Sequence, residues 1–153
     1  MENNNAPDSI PEEISPIIKA MGYEIVELSV QETKNSMQVR SSIYSPNGVS
    51  AEDCAEVYRT IFPRLEVLIE NKDISLEIMS PGVNRRIKDN KEYQIFIKKG
   101  IKILTQNSNE WYSGIIDYAD ENIVKLKQVD ESIQEIRLEN IKKARLDYKQ
   151  EVR

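Results

Sequence analysis

The sequence predicts an α+β domain with the element order α-β-β-α-β, followed by a small all-β barrel. Helical and alternating apolar segments interleave up to Ser80, whereas short strands spaced roughly 8–12 residues apart follow Gly100. Pro81-Gly82 lies between these regions and favours a tight turn. The charge also changes there. Residues 1–81 carry 14 Asp and Glu against 6 Lys and Arg, whereas residues 82–153 carry 12 against 15.

This change of character predicts the domain organisation. Residues 1–81 form an acidic α/β domain with a net charge of −8. Residues 89–153 form a basic barrel domain, and the net charge from residue 82 onward is +3. Residues 82–88 form a hinge between them, which is entered through the bend at Ser80, Pro81 and Gly82.

The first helix has two possible starts. Ser9 with Glu12 three residues later makes a capping-box pattern, whereas Ser15-Pro16 makes an N-cap followed by a first-turn proline. Gly22 supplies the C-terminal stop.

The rest of the first domain contains two alternating strands, a long helix and a third strand. Ser50 caps the helix, with Asp53 at the capping-box position. The predicted strands are Tyr23–Val30, Met37–Tyr44 and Ile74–Ser80, and the predicted helix is Ala51–Glu70. The core stripe of the long helix is Cys54, Val57 or Tyr58, Ile61, Leu65 and Leu68. We expect an antiparallel sheet with helices on one face.

The second domain begins with a helical turn near Glu92 to Ile97 and continues as five strands. The strands are Ile101–Thr105, Trp111–Tyr118, Asn122–Lys127, Gln134–Leu138 and Lys142–Leu146. Residues 114–126 make a strand, a tight turn and a strand, as in SH3-like and Sm-like barrels. Trp111, Gly114, Ile116, Ile123, Val124 and Leu126 are expected to fill or shape the barrel.

Composition argues against several classes of protein. The chain has no histidine, which excludes histidine-based triads and weakens the case for a metal site, so we expect no catalytic residues, no metal and no cofactor. A carboxylate-based enzyme remains formally possible. The single cysteine, Cys54, fits a reducing cytoplasm and is most simply a small buried apolar residue. The first nine residues form a polar tail unlike a signal peptide, and no apolar run is long enough to span a membrane.

Several sequence blocks resemble, in order, the bacterial ribosome maturation factor RimP family. The blocks are Gly22-Tyr23-Glu24-Ile25-Val26, the helix entry at residues 47–57, Leu76-Glu77-Ile78-Met79-Ser80-Pro81-Gly82, residues 111–116 with Ile123-Val124, and residues 138–146. The resemblance runs from about Ile10 to Tyr148. After Ser-Pro-Gly the family usually has an apolar residue, Asp, Arg and Pro. This chain has Val83-Asn84-Arg85-Arg86, which makes the segment more basic.

The resemblance implies an α/β domain followed by an Sm-like barrel, in a protein without enzymatic activity. We expect a cytoplasmic monomer. The resemblance further implies binding to the immature small ribosomal subunit, to promote its assembly. The implied partners are ribosomal RNA and a basic small-subunit ribosomal protein near the decoding region. A general RNA-binding Sm-like module without ribosome specificity is the alternative.

Basic residues after the turn are candidates for binding RNA phosphates. On a strand, Lys125 and Lys127 share one face, as do Lys143 and Arg145. An ordinary solvated surface is the competing interpretation for each residue. The candidates are Arg85, Arg86, Lys88, Lys98, Lys99, Lys102, Lys125, Lys127, Lys142, Lys143 and Arg145.

Acidic and aromatic residues each have two interpretations. Glu52, Asp53 and Glu56 at the start of the long helix either stabilise the helix dipole, which we prefer, or bind the basic ribosomal protein. The aromatic residues Trp111, Tyr112 and Tyr118 either stack on bases or fill the barrel. For Trp111 we favour the barrel core.

Overall fold

The computed structural model describes residues 9–152, so most of the polar N-terminal tail lies outside the described residues. The chain divides between Pro81 and Gly82 into two compact units. The first unit contains, in order, α1 Ser9–Ala20, β1 Glu24–Glu32, β2 Ser36–Tyr44, α2 Ala51–Leu68 and β3 Asp73–Met79. The predicted element order is confirmed. Helix α1 begins at Ser9 and continues through Pro16, so the earlier of the two possible starts is the right one.

The sheet of the first unit is mixed, with β2 between β1 and β3. Strands β1 and β2 are antiparallel, but β2 and β3 are parallel, with Val39 opposite Leu76. The expectation of a fully antiparallel sheet was therefore wrong. The 18 residues of α2 rise roughly 27 Å, about the length of a nine-residue strand. The helix thus returns the chain along the sheet, and β3 starts at the same end as β2.

The core of the first unit lies between its helices and the sheet. Helix α1 contributes Ile10, Ile14 and Ile18, and α2 contributes Val57, Ile61 and Leu65, all fully buried. Within the predicted stripe of α2, Val57 is the core residue, because Tyr58 is 39% exposed and stacks on Phe62. Cys54 is partly buried, and burial raises the pKa of its thiol.

The start of α2 has the predicted capping box. The backbone N–H of Asp53 donates to the Ser50 hydroxyl at 3.0 Å, and the Ser50 N–H donates to the Asp53 carboxylate at 2.9 Å. Two backbone donors that have no partner within the helix are thereby satisfied.

The second unit is all-β apart from short helical turns. It contains α3 Glu92–Ile95, β4 Gly100–Thr105, β5 Trp111–Ala119, β6 Ile123–Lys127, β7 Ile133–Arg137 and β8 Ile141–Leu146. All neighbouring strands are antiparallel, in the order β7-β6-β5-β4-β8. The predicted strands are confirmed. Between residues 9 and 152 no ladder joins β7 to β8, so the second unit is a five-stranded sheet whose closure into a barrel is not detected.

One face of this sheet forms the core. Ile101, Ile103, Ile116, Val124 and Leu126 alternate along β4 to β6 and are fully buried. Gly114 lies on β5 beside β6, where an added Cβ would approach the Lys127 carbonyl oxygen to 2.7 Å. The opposite face carries Lys102, Trp111, Lys143 and Arg145 and forms the candidate site.

The predicted hinge segment, residues 82–88, is hydrogen-bonded to β8. Ile87 donates its N–H to the Ala144 carbonyl at 2.9 Å, and Leu146 donates to the Arg85 carbonyl at 2.8 Å. The tight turn lies at Gly82–Arg85 and not at Pro81-Gly82, since the Arg85 N–H donates to the Gly82 carbonyl. Residues 85–87 are therefore paired with β8 as part of the second unit.

Candidate nucleic-acid interface

Three cationic side chains form one row across the outer face of the second unit. Arg86 pairs with Arg145 through an antiparallel bridge, and Arg145 pairs with Lys102 across the β8–β4 ladder. Residues directly opposite each other in a sheet point to the same face. Arg86 and Arg145 are exposed and Lys102 is half-buried, so the row lies on the side facing away from the core.

The neighbouring row contains an exposed aromatic ring. Lys143 is opposite Leu104, which in turn is opposite Trp111. The ammonium nitrogens of Lys102 and Lys143 lie 5.2 Å and 5.6 Å from the centroid of the indole. Such cation–π contacts stabilise by roughly 0.5–1 kcal/mol each at exposed sites.

The preference for Trp111 as barrel core was wrong. Its side chain is 41% exposed. The alternation of β5 explains this, because Gly114 and Ile116 point to the core and Trp111 therefore points away from it. The sequence contained this information, because Trp111 is three residues from Gly114 and five from Ile116, and residues an odd number apart on a strand point to opposite faces.

These two rows enclose a shallow pocket of about 150 Å³. It is lined by Arg86, Lys102, Trp111, Lys143, Ala144 and Arg145. Arg145 is held in place at its rim, because one guanidinium nitrogen donates to the Asn84 carbonyl at 3.0 Å. We call Arg86, Lys102, Trp111, Lys143 and Arg145 the Trp111 patch.

A second lysine–aromatic pair lies on β5 and β6. The Lys125 ammonium is 5.2 Å from the centroid of the exposed Tyr118 ring. The Tyr118 hydroxyl donates to Asp120 at 2.9 Å. Asp120 also accepts the N–H groups of Asn122 and Ile123, and these bonds lower the pKa of its carboxyl. Tyr118 and Asp120 thus hold the turn between the two strands.

Arg85 does not lie in the patch. Its guanidinium makes two hydrogen bonds to the Glu92 carboxylate, at 2.8 Å and 3.0 Å, and the two side chains are only 8% and 1% exposed. Glu92 also accepts the N–H groups of Lys88 and Asp89 at 3.1 Å. Sequence reasoning missed Glu92, although its position at the start of a helical turn, where N–H groups are unpaired, was a signal.

The other candidate lysines are dispersed. Lys99 lies 3.8 Å from the Glu151 carboxylate, and Lys127 lies 4.0 Å from Glu131. Lys142 is exposed but belongs to the other face of β8 from Lys143. Lys88 and Lys98 are exposed in the segments before β4.

Comparison with known proteins decides the family. The family model of the RimP N-terminal domain matches residues 13–84. "Ribosome maturation factor RimP" of Borrelia recurrentis (strain A1) is 28% identical over 133 residues, which cover 87% of this chain and 90% of the relative. The protein of the same name from Borrelia turicatae (strain 91E135) is 29% identical over the same shares. The chain belongs to the RimP family.

The matched RimP domain corresponds to the first unit and includes its acidic helix start. The Asp53 carboxylate accepts the Ser50 N–H, and its interactions with the backbone and the hydroxyl of Ser50 lower the pKa of its carboxyl. Glu52 lies 2.8 Å from the Arg59 guanidinium, and both side chains are largely exposed. Glu56 is exposed as well. Of these three acids, Glu52 and Glu56 face solvent, whereas Asp53 serves the helix cap.

The Trp111 patch lies beyond the part matched by the RimP domain model, since all its members follow residue 84. Within residues 9–152, no three Cys, Asp or Glu side chains are grouped so that they could hold a metal ion. The same residues contain no helix that is both long and apolar enough to span a bilayer.

Proposed function

We propose that this protein contacts the RNA of the immature small ribosomal subunit through the Trp111 patch while it assists assembly of that particle. Its role as a non-enzymatic ribosome maturation factor acting on the small subunit follows from its membership of the RimP family. We assign the RNA contact to the Trp111 patch. The observation that carries this assignment is the register that places four cations around one exposed indole.

Charge is the physical reason for preferring RNA as the ligand of the patch. Phosphates dominate the affinity of proteins for nucleic acids, and each contact releases counterions. Four cations that contact single-stranded RNA would give a slope of about −3 in log affinity against log salt, at roughly −0.7 per contact. The chain as a whole carries a net charge of −5, whereas residues 82–153, which contain the patch, carry +3.

The acidic first unit is proposed to contact a basic small-subunit ribosomal protein near the decoding region. Its net charge of −8 favours association with a basic surface. Glu52 and Glu56 are the exposed acids at the start of α2. The cytoplasm, where small subunits are assembled, is the expected location.

The test is co-sedimentation with immature and mature small subunits at two salt concentrations. We compare the wild type with a variant in which Arg86, Lys102 and Lys143 are replaced by Gln. The matched control replaces Lys91, Lys142 and Lys149, three exposed lysines of the same unit outside the patch. We expect salt-sensitive binding to the immature particle that the patch variant loses and the control keeps.

Two results would overturn parts of this proposal. Equal losses in the patch variant and the control would show that overall charge, and not the patch, holds the RNA. Equal binding of the wild type to mature subunits and to unrelated structured RNA would make the protein a general RNA-binding module.

The acidic face has a separate test. Glu52→Lys with Glu56→Lys is expected to abolish binding to the ribosomal protein, whereas Glu66→Lys with Glu70→Lys, further along the same part of the chain, is expected to keep it. Unchanged binding by the first variant would contradict the proposed partner surface.

A further inference from the structure

The Trp111 patch has two properties that are costly in the free protein. The first is electrostatic. Arg86, Arg145 and Lys102 occupy consecutive cross-strand positions in one row, and like charges directly opposite each other destabilise a sheet. An anion bound over the row would relieve this repulsion, so the arrangement is suited to a phosphate group.

The second property is the exposure of a large aromatic ring. Trp111 leaves about two-fifths of its side chain in solvent, next to the same cations. Duplex RNA would satisfy the cations but leave the indole unused, because its bases are already stacked within the helix. Unpaired RNA supplies a phosphate and a free base face together.

The dimensions of the pocket agree with this ligand. Its volume of about 150 Å³ corresponds to about five water molecules in the liquid, which is enough room for one planar ring. The row of cations is adjacent to the row that contains Trp111, so one nucleotide could engage both.

We propose that the Trp111 patch binds one unpaired nucleotide of RNA, whose base stacks on the Trp111 indole while its phosphates contact Arg86, Arg145 and Lys102. This inference rests on the proposed RNA contact and adds that the RNA is single-stranded and the contact includes stacking. The patch therefore selects segments of ribosomal RNA that have not yet paired.

Trp111 provides its own reporter, because it is the single tryptophan of the chain. Intrinsic fluorescence is titrated with a 12-nucleotide single-stranded RNA of mixed sequence and with the blunt-ended duplex of that strand and its complement, which has no unpaired nucleotide. Stacking on the indole quenches its emission, so we expect strong quenching by the single strand and little by the duplex. Affinities for both RNAs are measured in parallel by anisotropy of a fluorescent label.

The variants separate stacking from charge. Trp111→Leu is expected to weaken binding of the single strand roughly 5- to 150-fold, as expected for the loss of one base–aromatic stack, and to leave binding of the blunt duplex nearly unchanged. Trp111→Phe restores most of the affinity. Tyr118→Leu, at the other exposed lysine–aromatic pair, is the control and is expected to change neither affinity.

The outcomes distinguish this inference from the proposed function. Trp111→Leu could weaken the binding of both RNAs equally, or of neither, while the Gln variant of Arg86, Lys102 and Lys143 loses the binding of both. In that case the RNA contact stands and the stacked nucleotide is refuted. If the wild type binds neither RNA nor the immature particle, the proposed function itself fails.

Discussion

Arg86 and Arg145 lie directly opposite each other across a β-bridge, with both side chains on the outer face of the second unit. Two positive charges in this relationship repel each other, and Lys102 extends the row. This repulsion is one of the reasons for which we propose an anionic ligand at this position.

Removal of one charge from this pair should stabilise the free protein. We expect Arg86→Thr to raise the free energy of unfolding by about 0.2–1 kcal/mol at low salt, because the cross-strand repulsion is lost. The gain should shrink in 1 M salt, where the screening length is about 3 Å. Urea denaturation at both salt concentrations measures it. Lys142→Thr, on the other face of β8, is the matched control, and an equal gain there would contradict the explanation.

The buried ion pair of Arg85 and Glu92 predicts a large loss of stability. Glu92→Gln removes the negative charge that Glu92 places against the buried Arg85 guanidinium, so we expect a loss of about 3–5 kcal/mol in the free energy of unfolding of the second unit. Urea denaturation followed by circular dichroism measures this loss.

The control for this prediction is the exposed pair Arg137 and Glu139, whose atoms lie 3.8 Å apart. Glu139→Gln should cost less than about 1 kcal/mol. Replacing both partners of the buried pair, Arg85→Met with Glu92→Leu, should cost much less than Glu92→Gln alone. A loss below about 1 kcal/mol for Glu92→Gln would show that the buried charge is relieved in some other way.

Gly114 tests the close approach of β5 and β6. Gly114→Ala places a Cβ at 2.7 Å from the Lys127 carbonyl oxygen, so the strands must separate. We expect a loss of about 1–3 kcal/mol, typical of overpacking, measured by thermal or urea denaturation. Gly82→Ala is the control, since a Cβ there meets nothing within 4 Å. Equal effects of the two substitutions would refute the steric argument.

The pH dependence of stability should be flat near neutrality and steep at alkaline pH. The chain has no histidine. Burial, with a contribution from the nearby Glu92 carboxylate, raises the pKa of Tyr93 well above its ordinary value of 10.0. Because the unfolded chain loses this proton first, the contribution of Tyr93 is complete below about pH 10 and is lost as the pH rises further.

Thermal unfolding from pH 6 to 11.5 measures this effect. Tyr93→Phe should flatten the alkaline fall, whereas the exposed Tyr148→Phe should not. At acid pH the stability changes with pH in the opposite direction, because it falls as the pH falls. Hydrogen bonds lower the pKa values of Asp53 and Asp120, so their stabilising effect is present above the ordinary carboxyl pKa and is lost as the pH falls through the lowered values. An unchanged alkaline limb in Tyr93→Phe would contradict the assignment.

Local elements were predictable from the sequence because their causes are local. The capping box of α2 needs only Ser50 and Asp53 three residues apart. The strands β4 to β8 follow from alternation and intervening polar turns. The unusual basic segment after Gly82 was visible in the sequence, but the different fates of Arg85 and Arg86 were not.

The sequence by itself determined the element order, the change of charge after residue 81 and the supply of basic residues in the second unit. Only the tertiary structure decided that β3 runs parallel to β2, that Arg85 forms a buried ion pair with Glu92, and that Trp111 lies outside the core. The physical reason is that register is a long-range property. Residues 86, 102, 111, 143 and 145 meet only when β8 pairs with β4 and the segment after Gly82 pairs with β8.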